Sequence, residues 1–450
     1  MGKLFGTDGV RDKANQGNMT IETVMNLGRA VAFYFKNIDK SEVRPTIVVG
    51  RDPRLSGSML EAALSAGICS AGVDVRLLGV VPTPAVATIA EQSGAVAGVM
   101  VSASHNPFFD NGIKVFKGSG YKLSDEEESA IEHLFFEEST ELPLDEDVGR
   151  VYHLEDAIEL YADFCLEDFN EDHPFKGMTL VLDCSNGSTS QCAGPIFSAL
   201  GADVHVIHNA PNGININENC GSQDTQDLCE KVREVGADAG LAFDGDGDRL
   251  IAVDEEGNEL SGDQVMAICA KAYKDAGLLT GQRVVATVMS NVGFHDAMKK
   301  QGIEVFTSGV GDRSVMELMT ECDAVLGGED SGHIIFFDVH TTGDGIISAL
   351  KLIQALRLSK QPLSSLGKIM VPFPQKMINI DVREKPPIES VPSIMQAIAD
   401  AESVLGDSGR VLVRYSGTQK MCRVMVEGPT EEETAAIAEK LAGTVKASIG

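Results

Sequence analysis

The chain has 450 residues, 43% of them hydrophobic and 23% charged, and carries a formal net charge of −30 at pH 7. Its length is too great for one core and suggests about three domains, with four permissible. The acidic balance excludes nucleic acid and anionic membrane surfaces as main partners, because those polyanions attract basic surfaces.

In chain order, the first elements repeat one pattern: apolar strand, polar loop, helix, glycine, second apolar strand. The first copy runs from a strand at 46–49 through Gly50-Arg51-Asp52 and a helix near 58–71 to Gly72 and a strand at 73–78. A further strand ends at Val101, residues 124–128 read as a helix start with carboxylates in its first turn, and residues 139–146 read as a solvated connection. The second copy runs from 180–183 through Ser185-Asn186-Gly187 to Gly201 and 204–207, and the third from 284–287 through Ser290-Asn291 to Gly302 and 303–306. These copies lie too far apart for a solenoid and suit successive domains. The expected fold class is α/β, with three successive α/β domains of mixed, mostly parallel sheets over residues 1–150, 151–255 and 256–370. After Pro372-Phe373-Pro374, strands at 376–382, 410–414 and 421–427 and an amphipathic helix at 429–449 make a smaller C-terminal α+β domain over 371–450. Nine scattered cysteines without a Cys-x-x-Cys pair fit reduced thiols, and with no apolar signal core or membrane-length apolar run the expected location is cytoplasmic.

Chemistry concentrates first at Phe243-Asp-Gly-Asp-Gly-Asp-Arg249. Alternate aspartates Asp244, Asp246 and Asp248 repel by about 4 kcal/mol per pair at 4 Å and an effective dielectric near 20. A divalent cation removes that cost, and an all-oxygen set points to Mg2+ rather than zinc. The competing reading is a solvated acidic turn. The second concentration is the strand ending Val99-Met-Val-Ser-Ala-Ser-His-Asn-Pro107. Ligands of open α/β sheets gather at the carboxyl ends of strands, and a serine there can act as a nucleophile. A hydrolase triad is the rival, but no Gly-x-Ser-x-Gly elbow is present; a core-packing role for His105 is the other.

Five ordered motifs carry a resemblance over essentially the whole chain: residues 5–11 (Phe-Gly-Thr-Asp-Gly-Val-Arg), 102–107 (Ser-Ala-Ser-His-Asn-Pro), 244–249, 328–333 (Gly-Glu-Asp-Ser-Gly-His) and 414–418 (Arg-Tyr-Ser-Gly-Thr). On these the chain resembles the α-D-phosphohexomutase superfamily, and Pro211-Asn-Gly-Ile-Asn-Ile-Asn217 with Val310-Gly-Asp-Arg313 resembles its glucosamine branch more than its glucose or mannose branches.

The resemblance implies an intramolecular phosphotransferase acting on small hexosamine phosphates, with glucosamine 1,6-bisphosphate as intermediate and activator and one Mg2+ per chain. Ser104 would carry the phosphoryl group and join Asp244, Asp246 and Asp248 around the metal. Lys114 would be the general acid/base, with its pKa lowered by neighbouring cations, while His105, Arg249 and Arg11 steady the transferred charge. Glu329, Ser331 and His333 would meet sugar hydroxyls, Arg313 belongs to the substrate-binding set, and Arg414, Ser416, Gly417, Thr418 and Arg423 would clamp the distal phosphate. A homodimer is compatible with the resemblance. Four residues depart from the pattern: Asp12 replaces glycine beside Arg11, Asp330 replaces glutamine, and Gln419-Lys420 replace Glu-Pro. Gln419, Lys420 and Asp12 motivate one alternative, a sugar-phosphate-binding protein without turnover; the other is a sister phosphoglucomutase or phosphomannomutase using the same steps on a 2-hydroxyl sugar.

Overall fold

Strands that are apolar on both faces need cover on both faces, and that need organises the first three domains. The computed structural model describes residues 4–6, 8–39, 41, 43–137, 141–415 and 420–450. The first sheet contains β1 (Val10–Lys13), β2 (Thr46–Arg51), β3 (Asp74–Val80), β4 (Ala97–Val101), β5 (Asp110–Lys117) and β6 (Val151–His153), in the order β1-β5-β4-β2-β3-β6. Every residue of β4 is buried. β2 pairs in parallel with β3 and β4, whereas β5 runs antiparallel to both β4 and β1.

The second sheet contains β7 (Thr179–Asp183), β8 (Asp203–Ile207), β9 (Ala239–Phe243), β10 (Leu250–Asp254) and β11 (Glu259–Leu260), in the order β11-β10-β9-β7-β8. The third contains β12 (Arg283–Thr287), β13 (Glu304–Ser308), β14 (Leu326–Gly328) and β15 (Ile334–Phe336), in the order β13-β12-β14-β15. The three expected repeats are the parallel pairs β2/β3, β7/β8 and β12/β13. Their glycines, Gly72, Gly201 and Gly302, all take the left-handed conformation, with φ of 83°, 90° and 64°, as a turn from helix to strand requires. Ser124 forms a capping box with Glu127 at the start of helix Asp125–Phe136, as the acidic first turn suggested. The connection expected at 139–146 begins outside the described residues.

In the C-terminal domain β16 (Gln375–Asp381), β17 (Arg410–Tyr415) and β18 (Met421–Glu427) form an antiparallel sheet ordered β16-β18-β17. Helix Glu431–Ile449 contributes Ala438, Leu441 and Val445 to a core with Val424 and Val426. Helix Pro392–Leu405, which contributes Ile394 and Leu405 to the same core, was not anticipated. The chain divides into two compact units, Met1–Met289 with Ile303–Ile369, and Ser290–Gly302 with Met370–Gly450. In the second unit Asn291 exchanges hydrogen bonds of 3.0 and 2.9 Å with the backbone of Phe373, so the linker is tied to that unit. All nine cysteines are free thiols. No helix among the described residues is long and apolar enough to cross a membrane.

In the first domain, helices Ile21–Ile38 and Gly57–Ser70 approach closely through Gly28 and Gly67. A Cβ on Gly67 would lie 1.9 Å from the Met25 carbonyl oxygen, and one on Gly28 would lie 2.4 Å from that of Leu64. Both obstacles are backbone, so the helices themselves would have to part. Gly67→Ala is expected to cost about 1–3 kcal/mol through overpacking, read as a lower urea midpoint; an unchanged midpoint would show that the two helices separate freely.

Candidate active site

The hydroxyl of Ser104 is reached by following β4 to its carboxyl end, where the chain turns sharply. Ser104 is buried and left-handed, with φ of 52°, a conformation that a non-glycine residue keeps only when its surroundings impose it. Its Oγ donates to Asp244 Oδ2 at 2.5 Å, and His105 Nδ1 lies 3.3 Å away. The Ser104 amide donates to Ser102 Oγ at 2.9 Å, and that hydroxyl donates to Asp52 Oδ2 at 2.6 Å. Arg54, whose side chain is fully buried, pairs with Asp52 at 2.7 Å. It also donates to the carbonyls of Ser104 (2.7 Å), Asn106 (2.8 Å), Asp110 (3.1 Å) and Pro107.

The aspartate loop joins β9 to the antiparallel β10. Carboxylate oxygens of Asp244, Asp246 and Asp248, all three residues buried, lie within 4.8 Å of one another. Asp246 Oδ1 and Asp248 Oδ1 are buried without a hydrogen-bond partner. Orphaned acceptors in an all-oxygen set fit a hard divalent cation. Thr83 fixes the loop from the first domain, its hydroxyl and amide donating to Asp246 Oδ2 and the Asp246 carbonyl at 2.6 and 2.8 Å.

Lys114 on β5 lies 2.9 Å from Asp246, 3.0 Å from Asp248 and 3.3 Å from Asp8. Burial lowers its proton affinity, but Asp246, Asp248 and Asp8 outweigh burial and hold its pKa well above the ordinary lysine value. The expected lowering by cations is therefore absent from this arrangement, because carboxylates surround the ammonium. Burial and the neighbouring Asp248 and Asp246 charges push the Asp244 carboxyl up. Asp248 shifts the other way: Lys114 and His333 overcome burial and hold it well below the carboxylate range. Burial, then Arg249 and Arg11, lower His105 to about 4, so its ring is neutral at pH 7.

Arg249 donates its amide to Asp244 at 3.2 Å, and its Nε lies 3.8 Å from Asp248 Oδ1. Arg11 pairs with Asp8 at 2.5 Å. His333 lies 3.7 Å from Asp248 and 3.8 Å from Asp312. Arg11 Nε, Arg249 Nε, Ser331 Oγ and His333 Nε2 are buried without hydrogen-bond partners, a set of polar groups suited to an anionic, hydroxylated ligand. Glu329 lies in the turn between β14 and β15 and accepts the Gly311 amide at 3.0 Å.

Two expectations look different in three dimensions. Arg313 is held by Asp125 and Glu128 of helix Asp125–Phe136 rather than left open to a ligand. Asp12, read as a carboxylate placed beside Arg11, accepts the Lys13 and Asn18 amides at 2.9 and 3.1 Å and closes a local turn. In the second unit Arg414 and Arg423 face each other across β17 and β18. Burial, then Arg423, lower the pKa of Arg414; paired guanidiniums favour an anion. Ser416, Gly417, Thr418 and Gln419 lie outside the described residues. Sequence reasoning assigned no role to Asp8, Asp52, Arg54 or Lys122. Applying the strand-end rule to β2 as well as β4 nominates Asp52 and Arg54; Lys122, which bridges Asp8 at 2.6 Å and Asp312, carries no such signal.

Family models described as phosphoglucomutase/phosphomannomutase match the chain in four parts: alpha/beta/alpha domain I at residues 2–142, domain II at 159–257, domain III at 261–373 and the C-terminal domain at 377–444. Proteins named phosphoglucosamine mutase from Syntrophobacter fumaroxidans and Geobacillus thermodenitrificans are 52% and 46% identical to it, with 100% of each chain covered. A phosphoglucomutase/phosphomannomutase family protein from Burkholderia thailandensis shares the fold with a TM-score of 0.82 at 23% identity, over 99% of this chain and 97% of that one. An N-acetylphosphoglucosamine mutase from Aspergillus fumigatus, solved with GlcNAc-6P and magnesium, has a TM-score of 0.67 at 18% identity, covering 99% and 96%.

Two outcomes are expected of the site. Mg2+ should raise the melting temperature with the logarithm of its concentration above Kd, by about 2.7 kcal/mol of stability at a hundredfold excess, and Asp246→Asn should lose most of that rise; equal stabilisation of the variant would remove the triad as the ion's site. In a 15N NMR titration the His105 ring should change charge near 4 rather than near the ordinary imidazole value of 6.5, and a midpoint near 6.5 would contradict its burial in the field of Arg249 and Arg11.

Proposed function

The chain belongs to the phosphoglucomutase/phosphomannomutase family, and on that premise we propose that it interconverts glucosamine 6-phosphate and glucosamine 1-phosphate. The observation that carries the chemistry is the buried Ser104 hydroxyl, 2.5 Å from an aspartate of the triad. Full-length identity of 52% to a phosphoglucosamine mutase supports the choice of sugar.

In the proposed cycle Ser104 begins as phosphoserine. A free hydroxyl of the sugar phosphate attacks phosphorus, the new P–O(sugar) bond forms and the P–Oγ bond breaks, leaving a 1,6-bisphosphate. Lys114, entering as the free amine, takes the attacking hydroxyl's proton, and the departing Ser104 Oγ takes one from water. After the bisphosphate turns over, Ser104 Oγ attacks its other phosphoryl group and returns its proton to water, the P–O(sugar) bond breaks, and the Lys114 ammonium protonates the departing sugar oxygen. Asp244, Asp246 and Asp248 would hold Mg2+ with the phosphoserine; the ion would neutralise phosphoryl charge and polarise phosphorus as a Lewis acid. With Asp246 and Asp248 engaged by an ion, Lys114 would lose two of its counter-charges, which would lower its proton affinity.

Arg11, Arg249 and neutral His105 would line the transferred phosphoryl group, with Glu329, Ser331 and His333 meeting sugar hydroxyls. Arg313 would have to leave Asp125 and Glu128 to reach substrate. Arg414 and Arg423, with Ser416, Gly417 and Thr418, would bind the distal phosphate. Lys114→Ala should lower kcat by roughly 10²–10⁴-fold, the usual span for an acid/base group.

The direct test follows both 1-phosphates by 31P NMR with Mg2+, catalytic glucosamine 1,6-bisphosphate, and either glucosamine 6-phosphate or glucose 6-phosphate. The amino sugar should turn over preferentially, and Ser104→Ala should abolish turnover. Glucose preference would move the chain to a sister branch, and no 1-phosphate despite phosphorylated Ser104 would leave a sugar-phosphate-binding protein.

A further inference from the structure

The motif at residues 211–217 has no place in the cycle above, yet its last residue touches the serine loop. Asn217 Nδ2 donates to the carbonyls of Ser104 and Asn106 at 2.9 and 3.1 Å. Arg54 approaches the same two carbonyls at 2.7 and 2.8 Å. The aspartate loop closes in on the same place: a Cβ on Gly245 would lie 2.7 Å from both Asn217 Nδ2 and the Ser104 carbonyl oxygen. One carboxamide thus sits where the nucleophile's loop and the aspartate loop meet.

The segment behind Asn217 is rigid for a stated reason. Ser185, Asn186, His208, Asn217 and Asn219 are all left-handed, with φ of 51°, 46°, 46°, 57° and 52°. Such residues cluster where surrounding contacts over-determine the backbone. Asp183 supplies those contacts: its carboxylate accepts the Ser185 amide at 2.8 Å and the Gly221 amide at 2.9 Å and pairs with His208 Nδ1 at 3.0 Å. The Asn217 amide in turn donates to the Ser185 carbonyl at 2.9 Å.

We infer that Asn217 is a positioning residue for phosphoryl transfer: with Arg54 it clamps the Ser104 and Asn106 carbonyls and keeps Ser104 in the left-handed conformation that aims Oγ at the aspartate loop. The inference rests on the mutase reading. It predicts an effect on the rate of transfer and none on sugar or metal affinity, since the Asn217 carboxamide donates to the Ser104 and Asn106 carbonyls and to none of the groups assigned to sugar or metal. Misplacing a reacting atom by about 1 Å can cost 10²-fold in rate.

The test is Asn217→Gly, which removes the carboxamide together with Cβ but accepts a left-handed backbone without strain, compared with Asn217→Ala, which removes the carboxamide and keeps Cβ. Phosphorylated enzyme is mixed with glucosamine 6-phosphate in single-turnover quench experiments, with steady-state KM and Mg2+ affinity measured in parallel. Both variants should transfer phosphate roughly 10- to 100-fold more slowly, with KM and Mg2+ affinity within about threefold of the parent. Wild-type transfer by Asn217→Gly would overturn the inference and assign Asn217 to backbone conformation alone; a proportionate loss of Mg2+ or sugar affinity would also overturn it. If the parent protein forms no glucosamine 1-phosphate, the mutase reading fails separately, and the clamp is then judged by how fast Ser104 takes phosphate from the bisphosphate: a slowed Asn217→Gly upholds it, an unchanged one overturns it.

Discussion

Lys114 lies within 3.3 Å of three carboxylates from two separate stretches of chain: Asp246 and Asp248 in the aspartate loop and Asp8 near the start. Taken singly, any of these buried charges would be costly, since removing one partner of a buried pair typically destabilises by about 3–5 kcal/mol. Together they tie the first domain to the second, and Lys122, shared between Asp8 and Asp312, extends the network to the third. The site's geometry therefore depends on charge compensation across domains rather than on apolar packing.

The same arrangement bears on the acid/base role proposed for Lys114. A fixed ion pair would oppose proton transfer, and its three carboxylates hold the Lys114 pKa well above the ordinary lysine value. Two of those partners, however, belong to the triad suited to a divalent ion. Exchange of counter-charge would then couple ligation to the lysine's proton affinity, a coupling a guanidinium could not offer.

Much of the site was legible because its chemistry is local in sequence. Three aspartates interleaved with Gly245 and Gly247 announce a cation loop, and a strand running into Ser102 and Ser104 announces a reactive end. The repeats were legible too, because strand, helix and left-handed glycine recur in order at Gly72, Gly201 and Gly302. Helix Pro392–Leu405 was not: only Ile394, Ala401 and Leu405 of it are buried, too sparse an apolar stripe to stand out. The partners of Arg313 were likewise hidden, since proximity in a motif says nothing about which side chains from other elements arrive first, and Asp12 accepts nearby backbone amides through a turn that its sequence does not mark. Arg54 illustrates the same limit, because a guanidinium gripping four carbonyls has no sequence signature.

The sequence by itself determined the class of fold, the family and the residue types able to hold a cation, carry a phosphoryl group and bind anions, because each depends on short patterns of apolar period or charge. Tertiary structure alone decided the protonation of Lys114, Asp244 and His105, the diversion of Asp12 and Arg313, and the hold of Asn217 and Arg54 on Ser104. Those properties are set by desolvation and by charges and hydrogen bonds a few ångströms away in space, many of them from residues far away along the chain.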